Sequence, residues 1–137
     1  MTNVLFVYGT LMPTACDRLG HTARERLSSS GAWRGAASLQ GILYDLGGYP
    51  GLVETADHAT AVSGAVIELR DPAHVFLWLD IYEGIDPQRP ETSEYKRVVR
   101  HVSHGHAGLL AAWVYIYIRS PDPAKRIAGC SWLKHIK

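Results

Sequence analysis

The chain has 137 residues, 47% of them hydrophobic and 20% charged, a composition close to the globular average that argues against intrinsic disorder. Lys and Arg number 14 against 13 Asp and Glu, giving a net charge of +1, so no broad electrostatic field favours nucleic acid or an anionic membrane as a partner. The two cysteines, Cys16 and Cys130, are too few for a disulfide scaffold or a four-ligand structural zinc site. We therefore expect one domain over residues 1–137 in a reducing, cytoplasmic setting.

The sequence also predicts no targeting segment. The apolar runs of the chain fall short of the roughly 20 residues that span a bilayer. The N-terminal segment lacks the basic leader that precedes the apolar run of a signal peptide. We expect neither a membrane span nor a secretory signal.

The first half of the chain predicts two kinds of element. Val4–Tyr8 is a β-branched and aromatic run bounded by Gly and Pro, which indicates a buried strand. Asp17–Ser30 carries apolar residues at four-residue spacing and predicts a helix. Ala32–Asp45 is strand-like but is interrupted by Gly35 and Gly41, which suggests bends in a strongly curved sheet. Leu52–Glu54 predicts a further short strand.

The second half alternates strand and helix signals. Ser63–Arg70 places apolar residues at every second position and predicts a strand. A helix is expected to begin after Asp71, which precedes a proline at the first helical position, and to stop at Gly84. Tyr95–Val102 and Leu110–Ile118 read as two strands of a hairpin. The predicted elements end with a short helix around Ala124–Ala128.

These elements define a fold class. About six strands and two or three helices, without regular βαβ alternation, predict an α+β fold with a curved, mostly antiparallel sheet. The pattern alone leaves open whether this sheet closes into a barrel.

The segment Tyr8-Gly9-Thr10-Leu11 is the first candidate binding element. A glycine after a buried strand lets the backbone turn sharply and lets a ligand approach the N–H groups. Such groups can hold a carboxylate or a carbonyl oxygen. The alternative is a tight turn in which Thr10 bonds locally.

Glu83 is the candidate catalytic residue. It falls in the last turn of the helix that ends at Gly84, next to Ile81 and Tyr82. The negative end of the helix dipole and desolvation by apolar neighbours both oppose ionisation, so both raise the pKa of a carboxyl toward neutrality. A carboxyl tuned in this way can serve as a general base. The alternative is a solvated acid at a helix end.

Five segments stand out in chain order: Tyr8–Leu11, Gly48–Val53, Leu79–Gly84, Tyr95–Val98 and Ala112–Tyr117. In this order and spacing they resemble the γ-glutamylcyclotransferase-like superfamily, and within it γ-glutamylamine cyclotransferase-like members. The resemblance implies a compact α+β fold around a closed six-stranded barrel. It also implies a glutamyl pocket formed by the Tyr8–Leu11 loop, with Glu83 as acid/base.

The implied reaction is the cyclisation of a small γ-glutamyl substrate. Its α-amine attacks its own γ-carbonyl, releasing 5-oxoproline and a free amine, so no metal or organic cofactor is required. The phenol groups of Tyr95 and Tyr115 are supporting candidates that could donate to the substrate or orient Glu83. Tyrosine is also a favoured strand residue, so packing is the alternative role for both.

The chain departs from the usual pattern after Leu11. Many relatives carry a basic stretch with Gly and Asn there, whereas this chain has Met12–Arg18, which leaves the identity of the released amine open. The oligomeric state is open as well.

Three rival readings remain. His101, His104 and His106 suggest a metal site, but three histidines at a flexible turn rarely give fixed geometry. Cys16 or Cys130 could act as a nucleophile, but neither has a histidine or another base at a sequence spacing typical of a catalytic pair. A non-catalytic module that binds a small metabolite or a protein could use the same fold, although the retained Glu83 favours an enzyme.

Overall fold

The computed structural model describes residues 2–15, 20–57, 59–105 and 108–136. Within these ranges the chain forms seven strands, three α-helices and two short 3-10 turns, at Pro90–Thr92 and Pro123–Lys125. The helices are α1 (His21–Ser28), α2 (Pro72–Tyr82) and α3 (Trp132–His135). The strands are β1 (Val4–Val7), β2 (Gly31–Gln40), β3 (Ile42–Asp45), β4 (Pro50–Val53), β5 (Ala61–Leu69), β6 (Tyr95–Ser103) and β7 (Leu109–Tyr117).

Five of these strands close into a barrel in the order β1-β5-β2-β6-β7. Neighbouring strands pair antiparallel, except that β1 runs parallel to β7 where Leu5 meets Trp113. The α+β class with a curved, mostly antiparallel, closed sheet is therefore confirmed. The described barrel has five strands rather than six, because β3 and β4 pair only with each other as a separate two-stranded sheet.

Gly41 explains why the long predicted strand divides there. Its N–H donates to the carbonyl of Thr60 at 3.3 Å, one residue beyond the last pair of the β2–β5 ladder, Gln40 with Ala61. A Cβ at this position would lie 2.9 Å from a methyl carbon of Leu52. The glycine thus lets β2 end at Gln40 and lets β3 start a new hairpin that packs closely against β4.

Side chains alternate between two apolar clusters across the barrel wall. Phe6 and Val114 belong to the cluster that fills the barrel, together with Trp132 of α3. Leu5 faces the other way and packs with Leu27 of α1 and Leu79 of α2. The two longer helices therefore lie outside the barrel, and α2 is fixed there by residues that are completely buried.

Helix α2 begins and ends as its sequence predicts. Asp71 accepts a hydrogen bond from the N–H of His74 at 3.2 Å, and Pro72 occupies the first helical position. Gly84 adopts a φ of +81°, which favours glycine. Its N–H donates to the carbonyl of Ile81 at 3.0 Å. The end of this helix, where Glu83 lies, is thus defined by local sequence.

Two other helix predictions are corrected. Helix α1 is shorter than the predicted Asp17–Ser30 and begins after Gly20, whose φ is +81°; residues 16–19 lie outside the described ranges. The tail forms a 3-10 turn and the short helix α3 rather than a helix around Ala124–Ala128. No helix in the described ranges has the length and apolarity needed to cross a bilayer.

Closure of the barrel beside the first loop requires a glycine at position 64. A Cβ there would lie 2.2 Å from the carbonyl oxygen of Val7 and 2.7 Å from the ring of Phe6. We expect Gly64→Ala to lower the free energy of unfolding by about 2 kcal/mol, the cost of overpacking a rigid site. Urea denaturation measures this change in the free energy of unfolding. Gly129→Ala, at a position with nothing within 4 Å of an added Cβ, is the control, and equal stability of the two variants would contradict the prediction.

Candidate active site

A cavity of about 280 Å³ opens where β1 ends. It lies between the loop that follows β1, the end of α2 and the first residues of β4 and β6. Its volume suits a small metabolite. The described residues that line it are Phe6, Val7, Tyr8, Gly9, Thr10, Leu11, Tyr49, Pro50, Tyr82, Glu83, Gly84, Glu94, Tyr95 and Tyr115.

The loop after β1 lines this cavity with Gly9, Thr10 and Leu11. Residues 9–12 form a turn in which the N–H of Met12 donates to the carbonyl of Gly9 at 3.1 Å. A Cβ on Gly9 would lie 2.6 Å from Cγ of Pro50, so the turn requires glycine. The N–H groups of Gly9, Thr10 and Leu11 make no hydrogen bond to another described residue, which leaves three donors beside the cavity.

Arg24 fixes the far side of this loop. Its Nη1 donates to the carbonyl of Thr10 at 2.7 Å, and the arginine itself is buried. The bond ties the loop to helix α1, which packs through Leu27 on the barrel. The orientation of the Thr10 peptide group therefore depends on contacts made outside the cavity.

Glu83 is the C-cap of α2, and its N–H donates to the carbonyl of Leu79 at 2.9 Å. Burial of its carboxyl group raises its pKa from 4.5 to about 8, and the negative charges of Asp80 and Glu94 add to this effect. No hydrogen bond from another described residue reaches this carboxyl group. The site thus holds an acid that changes its protonation state near neutral pH, as a proton-transfer group requires.

Asp80 belongs to a network that anchors the end of α2 to the barrel. Its carboxylate accepts from Nε and Nη2 of Arg97 at 2.8 and 3.2 Å, and from the hydroxyl of Tyr115 at 2.6 Å. The guanidinium of Arg97 also lies over the rings of Phe76 and Trp113, at 3.8 and 4.4 Å from the centroids. A bidentate ion pair of this kind fixes geometry as well as charge. It therefore positions Glu83, one helical turn farther along.

Two further tyrosines brace the cavity wall. The hydroxyl of Tyr8 donates to the carbonyl of Tyr115 at 2.7 Å and accepts from the N–H of Leu52 at 3.3 Å. The hydroxyl of Tyr95 donates to the carbonyl of Pro50 at 2.7 Å. Burial is the main cause that raises the pKa of both phenols, so both stay neutral. These bonds hold β4 against β1 and β6.

A second carboxylate lines the cavity. Glu94 accepts a hydrogen bond from the hydroxyl of Tyr49 at 2.9 Å. Its own carbonyl accepts from the N–H of Ile118 at 2.9 Å, which fixes the backbone at the start of β6. Because 45 positions separate Tyr49 from Glu94, the sequence alone does not predict that they pair.

All seven predicted site residues line the same cavity, although their roles toward a substrate remain predictions. Asp80 was missed, but its i, i+3 relation to Glu83 is a signal that could have found it. The residues concerned are Tyr8, Gly9, Thr10, Leu11, Glu83, Tyr95 and Tyr115.

The rival candidates that the structure describes do not line this cavity. His104 Nε2 is 2.7 Å from the carbonyl oxygen of Arg34, and no group of three potential metal ligands occurs among the described residues. Cys130 is exposed and lines a second cavity, of about 200 Å³, that Glu83 does not reach. His106 and Cys16 lie outside the described ranges.

Comparison with known proteins places these features in a family. The family model described as "Gamma-glutamyl cyclotransferase, AIG2-like" matches residues 5–134. A protein of Vibrio cholerae named "Putative gamma-glutamylcyclotransferase" is 32% identical over 136 residues, which cover 99% of this chain and all of that protein.

Solved structures share the fold at lower identity. An AIG2-like protein of Mus musculus superposes with a TM-score of 0.66 at 21% identity, covering 90% of this chain and 81% of that one. YkqA of Bacillus subtilis superposes with a TM-score of 0.69 at 21% identity and covers 98% of this chain. The present chain spans 41% of YkqA, so this likeness concerns one part of a longer protein.

Ionisation of Glu83 should weaken the fold. Because its pKa is about 8 in the folded protein and about 4.5 otherwise, the folded state binds its proton more tightly, and stability is lost as pH rises between these values. We expect Glu83→Gln to melt at a higher temperature than the wild type, by a margin that grows from pH 4.5 to above pH 8.

Thermal melts across this pH range measure the margin. Glu91→Gln is the control, since Glu91 is exposed in a 3-10 turn outside the cavity. If the difference in melting temperature between Glu83→Gln and the wild type stays constant with pH, the carboxyl group of Glu83 ionises as it does in water.

Proposed function

Because the chain belongs to the γ-glutamyl cyclotransferase, AIG2-like family, we propose that it converts a γ-glutamyl amide into 5-oxoproline and a free amine, with Glu83 as the acid/base. The observation that carries this proposal is the meeting of two features in one cavity: the buried carboxyl of Glu83 and the backbone N–H groups of Gly9–Leu11. The name of the Vibrio cholerae relative agrees with it.

The substrate supplies its own nucleophile in this reaction. The nitrogen of its α-amine attacks the γ-carbonyl carbon, a five-membered ring forms, and the bond between that carbon and the amide nitrogen breaks. The cavity must hold the chain of the substrate folded so that amine and carbonyl meet. Such orientation can lower the activation barrier by on the order of 7–11 kcal/mol at best. The walls braced by Tyr8 and Tyr95 would hold the substrate in this orientation.

The proton transfers balance without any co-reactant. Glu83 takes a proton from the α-ammonium, which frees the nitrogen lone pair for attack. The nitrogen loses a second proton as the ring forms, and the departing nitrogen gains two protons by the time it leaves as an ammonium ion. A carboxyl with a pKa of about 8 is well matched to an amine that titrates in the same range, so it can move these protons in both directions.

The backbone donors of Gly9, Thr10 and Leu11 suit the oxygen atoms of the substrate. They can clamp the carboxylate of the glutamyl group, or stabilise the negative charge that grows on the γ-carbonyl oxygen during attack. Because Arg24 and Pro50 hold the loop in place, these donors need little rearrangement when the substrate binds.

The proposal is tested by replacing Glu83. Gln keeps the size of the side chain but cannot accept the ammonium proton, so we expect turnover to fall by about 10⁴-fold, the upper end for general acid–base catalysis, while KM changes far less. Asp should also be poorer than Glu, since it shortens the reach by one carbon. The measurement is 5-oxoproline released from a panel of γ-glutamyl amides.

Two results would overturn this function. A Glu83→Gln variant that melts cooperatively and still cyclises at the wild-type rate would remove the acid/base role. Binding of γ-glutamyl compounds by the wild-type protein without release of 5-oxoproline would instead identify a non-catalytic binding module.

The pH dependence tests the role of Asp80. Desolvation first, and then the negative charge of Asp80, raise the pKa of Glu83 to about 8, so kcat/KM should decline as pH falls below that value. In Asp80→Asn the decline of kcat/KM on the acid side of the pH profile, the acid limb, should lie at lower pH. The negative charge that opposes ionisation of Glu83 is gone, and Arg97 is no longer neutralised. Tyr115→Phe removes the hydrogen bond to Asp80 but keeps its charge, so its limb should not move to lower pH. An Asp80→Asn limb in the wild-type position would reduce Asp80 to a structural residue.

A further inference from the structure

The turn after β1 contains one peptide group whose direction matters to the proposed reaction. Residues 9–12 form a β-turn closed by the bond from the N–H of Met12 to the carbonyl of Gly9 at 3.1 Å, so the peptide between Thr10 and Leu11 is the central one. A central peptide has two orientations, the type I and the type II form, which differ by a half-turn of that peptide. Because the carbonyl and the N–H of a trans peptide point in opposite directions, the orientation decides on which side of the turn the N–H of Leu11 lies.

Arg24 holds this peptide in one orientation. Its Nη1 donates to the carbonyl oxygen of Thr10 at 2.7 Å. The arginine is buried but does not line the cavity, so the carbonyl is directed at a group outside the cavity lining and the N–H of Leu11 points the other way. Leu11 has no positive φ, which excludes the type II form. The bond from Arg24 and the backbone of Leu11 therefore favour the same orientation.

The position of Arg24 has a cost that helix α1 does not explain. Burial takes a guanidinium out of water, and the first turn of a helix carries a partial positive charge that disfavours a cation. The N–H of Arg24 donates to the carbonyl of the N-cap, Gly20, which places the arginine at the end of that turn. A buried cation at this point is better explained by what its side chain binds than by the stability of the helix.

The start of α1 meets the same turn at a second point. Gly20 has a φ of +81°, and a Cβ there would lie 3.1 Å from Oγ1 of Thr10 and 2.8 Å from the hydroxyl oxygen of Tyr82. The start of α1 thus packs between the turn and the end of α2, next to Glu83. One helix therefore contacts both parts of the cavity wall that the proposed reaction uses.

We propose that Arg24 is a positioning residue for the reaction: by holding the carbonyl of Thr10 from outside the cavity, it keeps the N–H of Leu11 directed at an oxygen atom of the substrate. The inference rests on the proposed function and adds to it a residue that touches no substrate. A cation bound to the carbonyl also polarises the peptide group, which makes its N–H a stronger donor. A donor that is fixed in advance needs no reorganisation when negative charge develops on the substrate oxygen.

Arg24→Met tests the inference, because it keeps an unbranched side chain but donates no hydrogen bond. We expect kcat/KM for a γ-glutamyl amide to fall by about 10²-fold, as when an oxyanion donor is lost. The acid limb of the pH profile should stay in place, since the charges that act on Glu83 are those of Asp80 and Glu94. Arg24→Lys keeps a charged donor and should lose less. Arg26→Met removes an exposed cation from the same helix and should match the wild type.

The peptide group itself gives a readout that is independent of turnover. The expected product, 5-oxoproline, offers a carboxylate and a ring carbonyl to the turn, so its binding should shift the amide NMR signal of Leu11 in the wild type. At saturating 5-oxoproline this shift should be much smaller in Arg24→Met, because the N–H is no longer held toward the ligand. In Arg26→Met the shift should equal that of the wild type. If Arg24→Met does not melt cooperatively, Arg24→Lys is judged by the same two measurements.

The outcomes separate this inference from the function on which it rests. Wild-type kcat/KM in a folded Arg24→Met variant would overturn the positioning role and leave the cyclotransferase standing. A loss of rate with a displaced acid limb would also overturn that role, because it would show damage to the end of α2. So would a Leu11 amide that shifts equally in the variant and the wild type, or that does not shift in the wild type. Absence of 5-oxoproline release by the wild type would overturn the proposed function, while the amide signal would still decide whether Arg24 holds the peptide.

Discussion

The structure of the site depends on one electrostatic constraint: the carboxyl group of Glu83 is partly desolvated at the cavity wall while two other carboxylates act on it. Each of these influences raises the free energy of the charged form. A carboxyl in this position would relax toward solvent if the chain allowed it. The fold must therefore hold the end of α2 in place, and several otherwise unrelated contacts serve that purpose.

The ion pair between Arg97 and Asp80 is one of these contacts. It joins the last turn of α2 to the barrel with two hydrogen bonds, and two aromatic rings cover the guanidinium. The same carboxylate that anchors the helix also opposes the ionisation of Glu83. Anchoring and pKa tuning are thus two effects of one side chain, so the geometry and the acidity of the site cannot vary independently.

Sequence reasoning succeeded where the information was local. Asp71 and Gly84 bound α2, and the position of Glu83 just before Gly84 suggested its raised pKa. Desolvation, the leading cause of the raised pKa, was predicted from the sequence. The contributions of Asp80 and Glu94 were not predicted. That of Glu94 depends on strands that meet only in the folded barrel.

The strand count shows a similar limit. Glycines within Ala32–Asp45 indicated bends, but a bend and a complete break have the same local signature. What separates the two strands is their partners: β2 pairs with β5 and β6, which lie farther along the chain, whereas β3 pairs with β4.

The hydroxyl groups of the cavity explain its polarity. Tyr8, Tyr95 and Tyr115 each donate to a protein oxygen, namely the carbonyl of Tyr115, the carbonyl of Pro50 and the carboxylate of Asp80. Their protons are therefore directed into the protein, and what these phenols offer a ligand is their oxygen lone pairs. With the two carboxyl groups, they make this part of the wall rich in acceptors, whereas the turn at residues 9–11 supplies N–H donors. The wall of the cavity therefore has two different polar parts, N–H donors at the turn and oxygen acceptors around Glu83 and Glu94.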